Sequence, residues 1–213
     1  MTDRLIEALH GSPSSSTRMQ AALAAGTDWT GTEFDVGLID ALVRRCGVEP
    51  DFFVRDMMTW ALTRGPADLI VPRLVEELHS PTPQARAQAL HTLSKIGDRA
   101  VWPAITPALL HDPDDAVART AWRTAVILVP DDHKCWLATE LITELGRGDR
   151  DTRRSLSRAM AALGDHAVEP LATARASSTP AVREHAGATE RLLADPDGDI
   201  TDHVDDAQRA RRR

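Results

Sequence analysis

The sequence predicts an all-α protein, a right-handed α-solenoid of stacked antiparallel helical hairpins, and three observations carry that prediction. First, a small or branched lead residue opens a helix six times, usually with arginine directly behind it: Thr17-Arg18, Val54-Arg55, Ala85-Arg86, Val117-Ala118-Arg119, Thr152-Arg153 and Val182-Arg183. Second, the gaps between lead residues are 37, 31, 32, 35 and 30. A period in that range belongs to one helical hairpin stacked on itself, each burying its apolar stripe against its neighbours. Third, apolar residues make up 42% of the chain but aromatics only 4%, with no tyrosine. That is enough for a continuous core, and thin alanine-rich helices pack closely in two layers.

The elements follow in order. Residues 3–10 make a short amphipathic helix with Leu5, Ile6 and Leu9 on one face, capping the open end of the stack. Ser12 to Ser16 is a turn rich in N-cap residues. Each unit then has a first helix, a Gly or Asp break and a second helix. In the clearest unit, residues 82–111, the first helix stops at Gly97-Asp98. Its second helix is entered through Pro103, with a bend or a late start at Pro107, because proline supplies no N–H beyond the first turn. Residues 152–175 repeat this plan, and residues 54–78 repeat it with Arg64-Gly65-Pro66 as the break. Residues 117–145 keep the register with Pro130-Asp131-Asp132. The unit 17–46 has a longer connection, Gly26 to Glu33, and the last unit, 180–193, has a first helix and no convincing second. The expected organisation is one solenoid of about five and a half hairpins over residues 1–193. Residues 194–213 hold six aspartates and then four arginines, and read as a disordered tail.

Net charge is −7, so the whole-molecule field repels phosphate backbones and anionic lipid; a basic patch would have to be found residue by residue. Cys46 and Cys135 fall on second helices three repeats apart. With stacked helices roughly 10 Å apart, that is beyond disulfide reach, so both read as reduced, partly buried thiols. No stretch of eighteen apolar residues exists. The start, Met1 to His10, carries acid as well as base and lacks the apolar core of a signal peptide. The expectation is a cytoplasmic chain.

The units 82–111 and 152–175 resemble HEAT-type repeats, in the short bacterial variant called HEAT-like or lyase-type. The matching residues are Ala85-Arg86, Ala89-Leu90, Leu93, Ile96-Gly97-Asp98 and Val101 in one unit. In the other they are Thr152-Arg153, Leu156, Ala159, Leu163-Gly164-Asp165 and Val168-Glu169-Pro170-Leu171. The likeness covers about residues 17–193. The resemblance implies that the repeating arginine packs between hairpins as a structural residue, and that second helices line the inner, concave side. The family spans scaffolds, adaptors and a few enzymes, so it does not fix an activity.

Aligning the second helices puts Leu74, Val75, Leu78, Ile105, Leu109, Leu141, Ile142 and Leu145 in the core. The outward positions become Gly37, Asp40 and Ala41; Arg73, Glu76 and Glu77; Ala104, Pro107 and Ala108; Glu140, Thr143 and Glu144; and Pro170, Thr173 and Ala174. Five of these are acidic and one is basic. A shallow apolar saddle at Ala104, Pro107 and Ala108 would lie between acidic flanks. Trp102 and Trp136, near the starts of second helices, complete the candidate face as an aromatic wall, although burial in the core is the commoner fate of tryptophan. Trp60 and Trp122, on first helices at apolar spacing, read as core. The expected function is a non-enzymatic scaffold or adaptor whose acidic concave face holds a basic or amphipathic protein segment. An ordinary solvated acidic surface is the competing reading.

Two other classes were weighed. A HEAT-like enzyme acting on nucleic-acid bases, in the manner of DNA glycosylases, needs a basic groove, and the inner face has the wrong sign; nucleic acid is not the expected partner. A small-ligand sensor would use an aromatic pocket near Trp102 and Trp136, deep and apolar with buried polar groups. The di-iron hydroxylases of the family use His-Glu pairs, and none of the eight histidines is followed by glutamate. His79 and His111 end equivalent second helices, but two histidines make a weak metal site. Asp195, Asp197 and Asp199 echo a calcium loop with Gly198 at the fourth place rather than the sixth. No catalytic, metal or cofactor residues are indicated. Arg209 to Arg213 would reach nucleic acid or a membrane surface, or simply form a floppy end.

Overall fold

A computed structural model describes residues 2–27 and 35–195. The expected tail beyond Asp195 and most of the Gly26–Glu33 connection lie outside the described residues. Every regular element described is helical. First helices form one layer: α2 (Ser15–Thr27), α4 (Phe52–Arg64), α6 (Pro83–Ile96), α8 (Asp115–Leu128), α10 (Arg150–Ala162) and α12 (Pro180–Ala194). Each packs on the next. The other layer runs α1 (Thr2–Gly11), α3 (Val36–Cys46), α5 (Ala67–Glu77), α7 (Pro107–Leu110), α9 (Lys134–Ile142) and α11 (Val168–Arg175). In this layer α1 contacts α3, α3 contacts α5, α7 contacts α9, and α9 contacts α11. Most contacts thus stay between neighbouring units of a stack of antiparallel hairpins; α3 also reaches past the 54–78 unit to α6, whose Gln84 donates to the Cys46 and Glu49 carbonyls.

The local reasons are capping and turn chemistry. Asp51 accepts from the N–H groups of Phe53 and Val54, Asp114 from Ala116 and Val117, and Asp149 from Thr152. Gly97 ends α6 at φ 73°, a left-handed position where a Cβ would be strained. Gly26 is needed for a different reason: the Trp60 ring and Ala61 backbone occupy the space a side chain would take. The expected late start at Pro107 is seen: α7 begins there, and the stretch before it that was read as the opening of the second helix is a 3-10 turn, Arg99–Ala104. The cause is Pro107, which holds Thr106 extended at ψ 159° and restarts the helix behind it. The core is continuous through both layers and includes all the aliphatic residues placed there from the sequence, with Val75 and Ile142 partly exposed. Trp122 is fully buried and its indole N–H donates to the Leu110 carbonyl at 2.8 Å, whereas Trp60 is only half-buried.

The repeating arginine is a clamp on the turn between units. Arg18 donates to the Ser12 carbonyl behind it, Arg55 to that of Glu49, Arg86 to that of Ser80 and Arg183 to that of Ser177. Two of them also reach forward to the next turn. Arg18 grips Glu49 at 2.6 and 2.7 Å, and Arg86 grips Asp112 at 2.8 and 3.0 Å. The same two carboxylates accept from the backbone N–H groups of Asp51 and Asp114, so one side chain orders the turn and ties it to the preceding unit. Ser80 stands where Glu49 and Asp112 stand. It bonds the Thr82 N–H but offers no carboxylate, and Arg55 Nε is left buried without a partner among the described residues. In the fourth unit Ala118, not Arg119, holds the clamp position. Arg147 takes over from the next turn, donating to the Asp112 carbonyl at 2.6 Å and pairing with Asp115 and Glu144.

Burial alone would raise the Glu49 pKa, but hydrogen bonds from Arg18, the Asp51 N–H and Arg45 bring it down to about 2. Its stabilisation is present above the ordinary glutamate value and is lost as pH falls through about 2. Glu49→Ala, which strands a buried Arg18, should lower stability by about 3–5 kcal/mol in urea titrations. The paired change Arg18→Met with Glu49→Leu should recover most of that loss. At the last interface His185 is buried; its Nδ1 accepts from the Gly146 N–H at 3.0 Å, and Nε2–H donates to the Arg153 carbonyl at 2.9 Å. Burial pushes its pKa down to about 4. The unfolded chain therefore binds a proton below about pH 6.5 that the folded chain refuses. Melting curves should show about 3 kcal/mol lost between there and pH 4, a portion of the profile that His185→Gln should flatten.

Candidate protein-binding face

The candidate residues all lie in the second-helix layer, and the structure divides them into three groups. Asp40 on α3 meets Arg73 on α5 at 3.0 Å, and Arg44 stands 3.9 Å from the same carboxylate. Arg73 also lies 3.9 Å from Glu76, whose side chain is 72% exposed. Glu77 is half-buried over a narrow cleft with Val43, Cys46, Leu74 and Gln88 in its walls. That cleft holds at most about 190 Å³, below the range of about 300–1,000 Å³ typical of small-molecule sites.

The second group is aromatic. Trp102 is buried, but Trp136 is 37% exposed and meets it edge to face with centroids 5.9 Å apart. His133 adds a second edge contact to Trp102 at 6.0 Å. The pair is thus half core and half surface, with only Trp102 buried as tryptophans commonly are. Pro107 and Ala108, on α7 packed against α9, are exposed, and Ala104 is half-buried. Two positions aligned outward are corrected: Ala41 and Ala174 are buried.

The third group is a clamp. His111 at the end of α7 lies with Nδ1 2.7 Å from Glu144 and Nε2 2.9 Å from Glu140. His111 thus bridges to two carboxylates of the next unit. Glu144 also holds Arg147 at 2.7 Å. Glu140 and Glu144 of the expected rim are therefore held in short pairs, whereas Glu76, 72% exposed, keeps only the 3.9 Å contact with Arg73. Burial works to lower the His111 pKa, but the hydrogen bonds and charges of the two glutamates outweigh it, and the net shift is upward.

Sequence reasoning missed a further contact. Cys135, the second residue of α9, is exposed rather than partly buried, and its Sγ lies 3.1 Å from His166 Nδ1 in the 3-10 turn Gly164–Ala167. Cys46 is fully buried, and burial pushes its thiol up to about 12. No group of three or more His, Cys, Asp or Glu side chains among the described residues is placed to hold a metal ion. No described helix is long and apolar enough to cross a membrane.

Two packed layers of antiparallel hairpins define the class, a HEAT-like all-α solenoid. No family model matches the sequence, and no curated protein matches it. Among solved structures the chain is similar to an engineered protein from a structural genomics programme, at 21% identity and a TM-score of 0.48, over 91% of this chain and 95% of that one. It is similar to human deoxyhypusine hydroxylase in complex with glycerol, at 18% identity and a TM-score of 0.47, over 92% and 85%. It is also similar to the complex of CpcE and CpcF of phycocyanin lyase from Nostoc sp. PCC7120, at 18% identity and a TM-score of 0.41, over 97% and 92%.

The His111 clamp has a definite pH signature. A raised histidine contributes stability that is complete below about pH 6.5 and fades as pH rises through the higher folded value. In a histidine NMR titration, Glu140→Gln with Glu144→Gln should move the His111 midpoint downward. An unmoved midpoint would mean that the two carboxylates do not set it.

Proposed function

We propose that the chain is a non-enzymatic interaction scaffold that holds a basic or amphipathic protein segment along its second-helix face. The observation that carries this reading is the half-exposed Trp136, braced on buried Trp102, with exposed Pro107 and Ala108 on the neighbouring α7. A rigid aromatic anchor next to small residues, with Glu76 open to solvent, is the composition of an interface centre with a charged margin. The pairing of Asp40, Glu140 and Glu144 narrows the electrostatic contribution to Glu76 and Glu77. The finer placement in the lyase-type bacterial subfamily, and the cytoplasm as the place of action, belong to the same proposal.

One observation favours a second reading, an enzyme of HEAT-like fold. The Cys135–His166 contact is a nucleophile beside a base, one residue from the aromatic ledge where a planar substrate such as a nucleic-acid base would stack. Affinity capture from the native cell, read by mass spectrometry, separates the two. The scaffold reading expects one stoichiometric protein partner, retained by Cys135→Ser and lost on Trp136→Ala or on charge reversal at Glu76 and Glu77. Turnover of a base or nucleoside that disappears with Cys135→Ser would replace it.

A further inference from the structure

The first helices carry a second surface, opposite in sign to the face just described. Counted from the lead residues, Arg119 on α8 and Arg154 on α10 occupy one register position, and Arg123 and Arg158 the position one turn on. Four residues advance about 6 Å along a helix, and packed axes lie about 8–10 Å apart. The four stems therefore outline a rectangle of those dimensions. Arg123 and Arg158 are exposed, and Arg119 and Arg154 are half-buried.

Neither Asp115 nor Asp149, the acidic residues at the starts of α8 and α10, forms an ion pair with any of the four, although the Arg119 charge helps to lower the Asp149 pKa. Asp115 is held by Arg147 at 2.8 Å, and Asp149 caps α10 on the Thr152 N–H at 2.8 Å. Arg123 folds back onto its own helix, donating to the Arg119 carbonyl at 3.2 Å and the Thr120 hydroxyl at 3.0 Å. Partial burial and then the Arg119 charge lower its pKa, the direction expected where positive charge is uncompensated. Arg154 Nε is buried with no acceptor. An anion seated over the four guanidinium groups would relieve their mutual repulsion.

The surroundings select the kind of anion. One further turn along each row the residues become apolar: Ile127, 47% exposed, and Ala162, also exposed. A phosphodiester backbone has nothing to place on Ile127, and the net charge of −7 opposes its approach. An acidic amphipathic helix matches both features. Its carboxylates recur every four residues, the spacing of the arginine rows, and an apolar residue on the same stripe falls beyond them. We propose that the α8–α10 face binds an acidic amphipathic helix of a protein partner. Its carboxylates accept from Arg119, Arg123, Arg154 and Arg158, and its apolar residue rests on Ile127. This surface is independent of the second-helix face, and with it the chain joins two partners of opposite charge.

The test uses the full chain and a labelled helical peptide of about four turns, with glutamates four residues apart and a leucine one turn beyond. Fluorescence anisotropy should show saturable binding that weakens as salt is raised. Arg123→Gln with Arg158→Gln, both exposed and leaving the helical circular dichroism unchanged, should weaken binding at least about tenfold. Ile127→Ser should weaken it severalfold, and reversal at Glu76 and Glu77 should not. Three results overturn the proposal: no saturable binding, or equal or tighter binding of a DNA duplex through the same arginines. The third is peptide binding only in a full-length variant with Asp197, Asp199, Asp202, Asp205 and Asp206 changed to Asn, which would assign the patch to the chain's own acidic stretch.

Discussion

Each join between hairpins is held by an arginine that binds a backbone carbonyl of the turn before it, and the rest of the stack depends on that contact. A solenoid has no central core to average out local errors, so the angle at each join is inherited by every unit beyond it. The turn residues have helix-end carbonyls and helix-start N–H groups that need partners in little space. The arginine fork supplies several donors in fixed geometry, and the Asp or Glu of the same turn supplies the acceptor. Arg18–Glu49 and Arg86–Asp112 are complete examples, each with a backbone N–H on the same carboxylate. Arg147 shows that the contact is required rather than incidental: where Ala118 removes the usual donor, an arginine from the next turn reaches the same carbonyl.

With the joins fixed, the two layers are free to differ in chemistry. The second-helix layer pairs much of its acid internally, through Arg73, His111 and Arg147, and leaves an aromatic ledge exposed. The first-helix layer gathers arginines on α8 and α10, while the acids at the starts of those helices are held by Arg147 and by the α10 cap. Charge left unpaired next to charge that is paired is more informative than net charge, since pairing is cheap on an exposed helix. An acidic protein can in this way carry a basic face that its overall composition hides.

Much of this was legible in advance, residue by residue. The lead positions, the Gly97 stop and the late start at Pro107 follow from local backbone rules that act within a turn of the residue concerned. The clamp itself was legible too, though only its Arg was read. Residues 12, 49, 80 and 177, each six before a clamp arginine, are Ser or Glu, and their side chains all accept from the N–H two residues on. A seven-residue comparison of the turns would have shown Ala118 as an exception with Arg119 out of register, and Arg153 as another, since Arg147 stands six before it and its donor goes to the Gly146 carbonyl instead. His111 with Glu140 and Glu144, and Cys135 with His166, had no such signal. Their partners lie 29 to 33 residues away and meet only once the units are stacked.

The amino-acid sequence alone determined the hairpin, its period, its caps and the composition of each stripe, because these depend on hydrogen bonds and apolar spacing within a few residues. Only the tertiary structure decided which carboxylates are neutralised, which tryptophan reaches the surface and which arginines gather on one face. Those outcomes depend on the rotation and offset between successive hairpins, a few ångströms of packing geometry that no local pattern encodes.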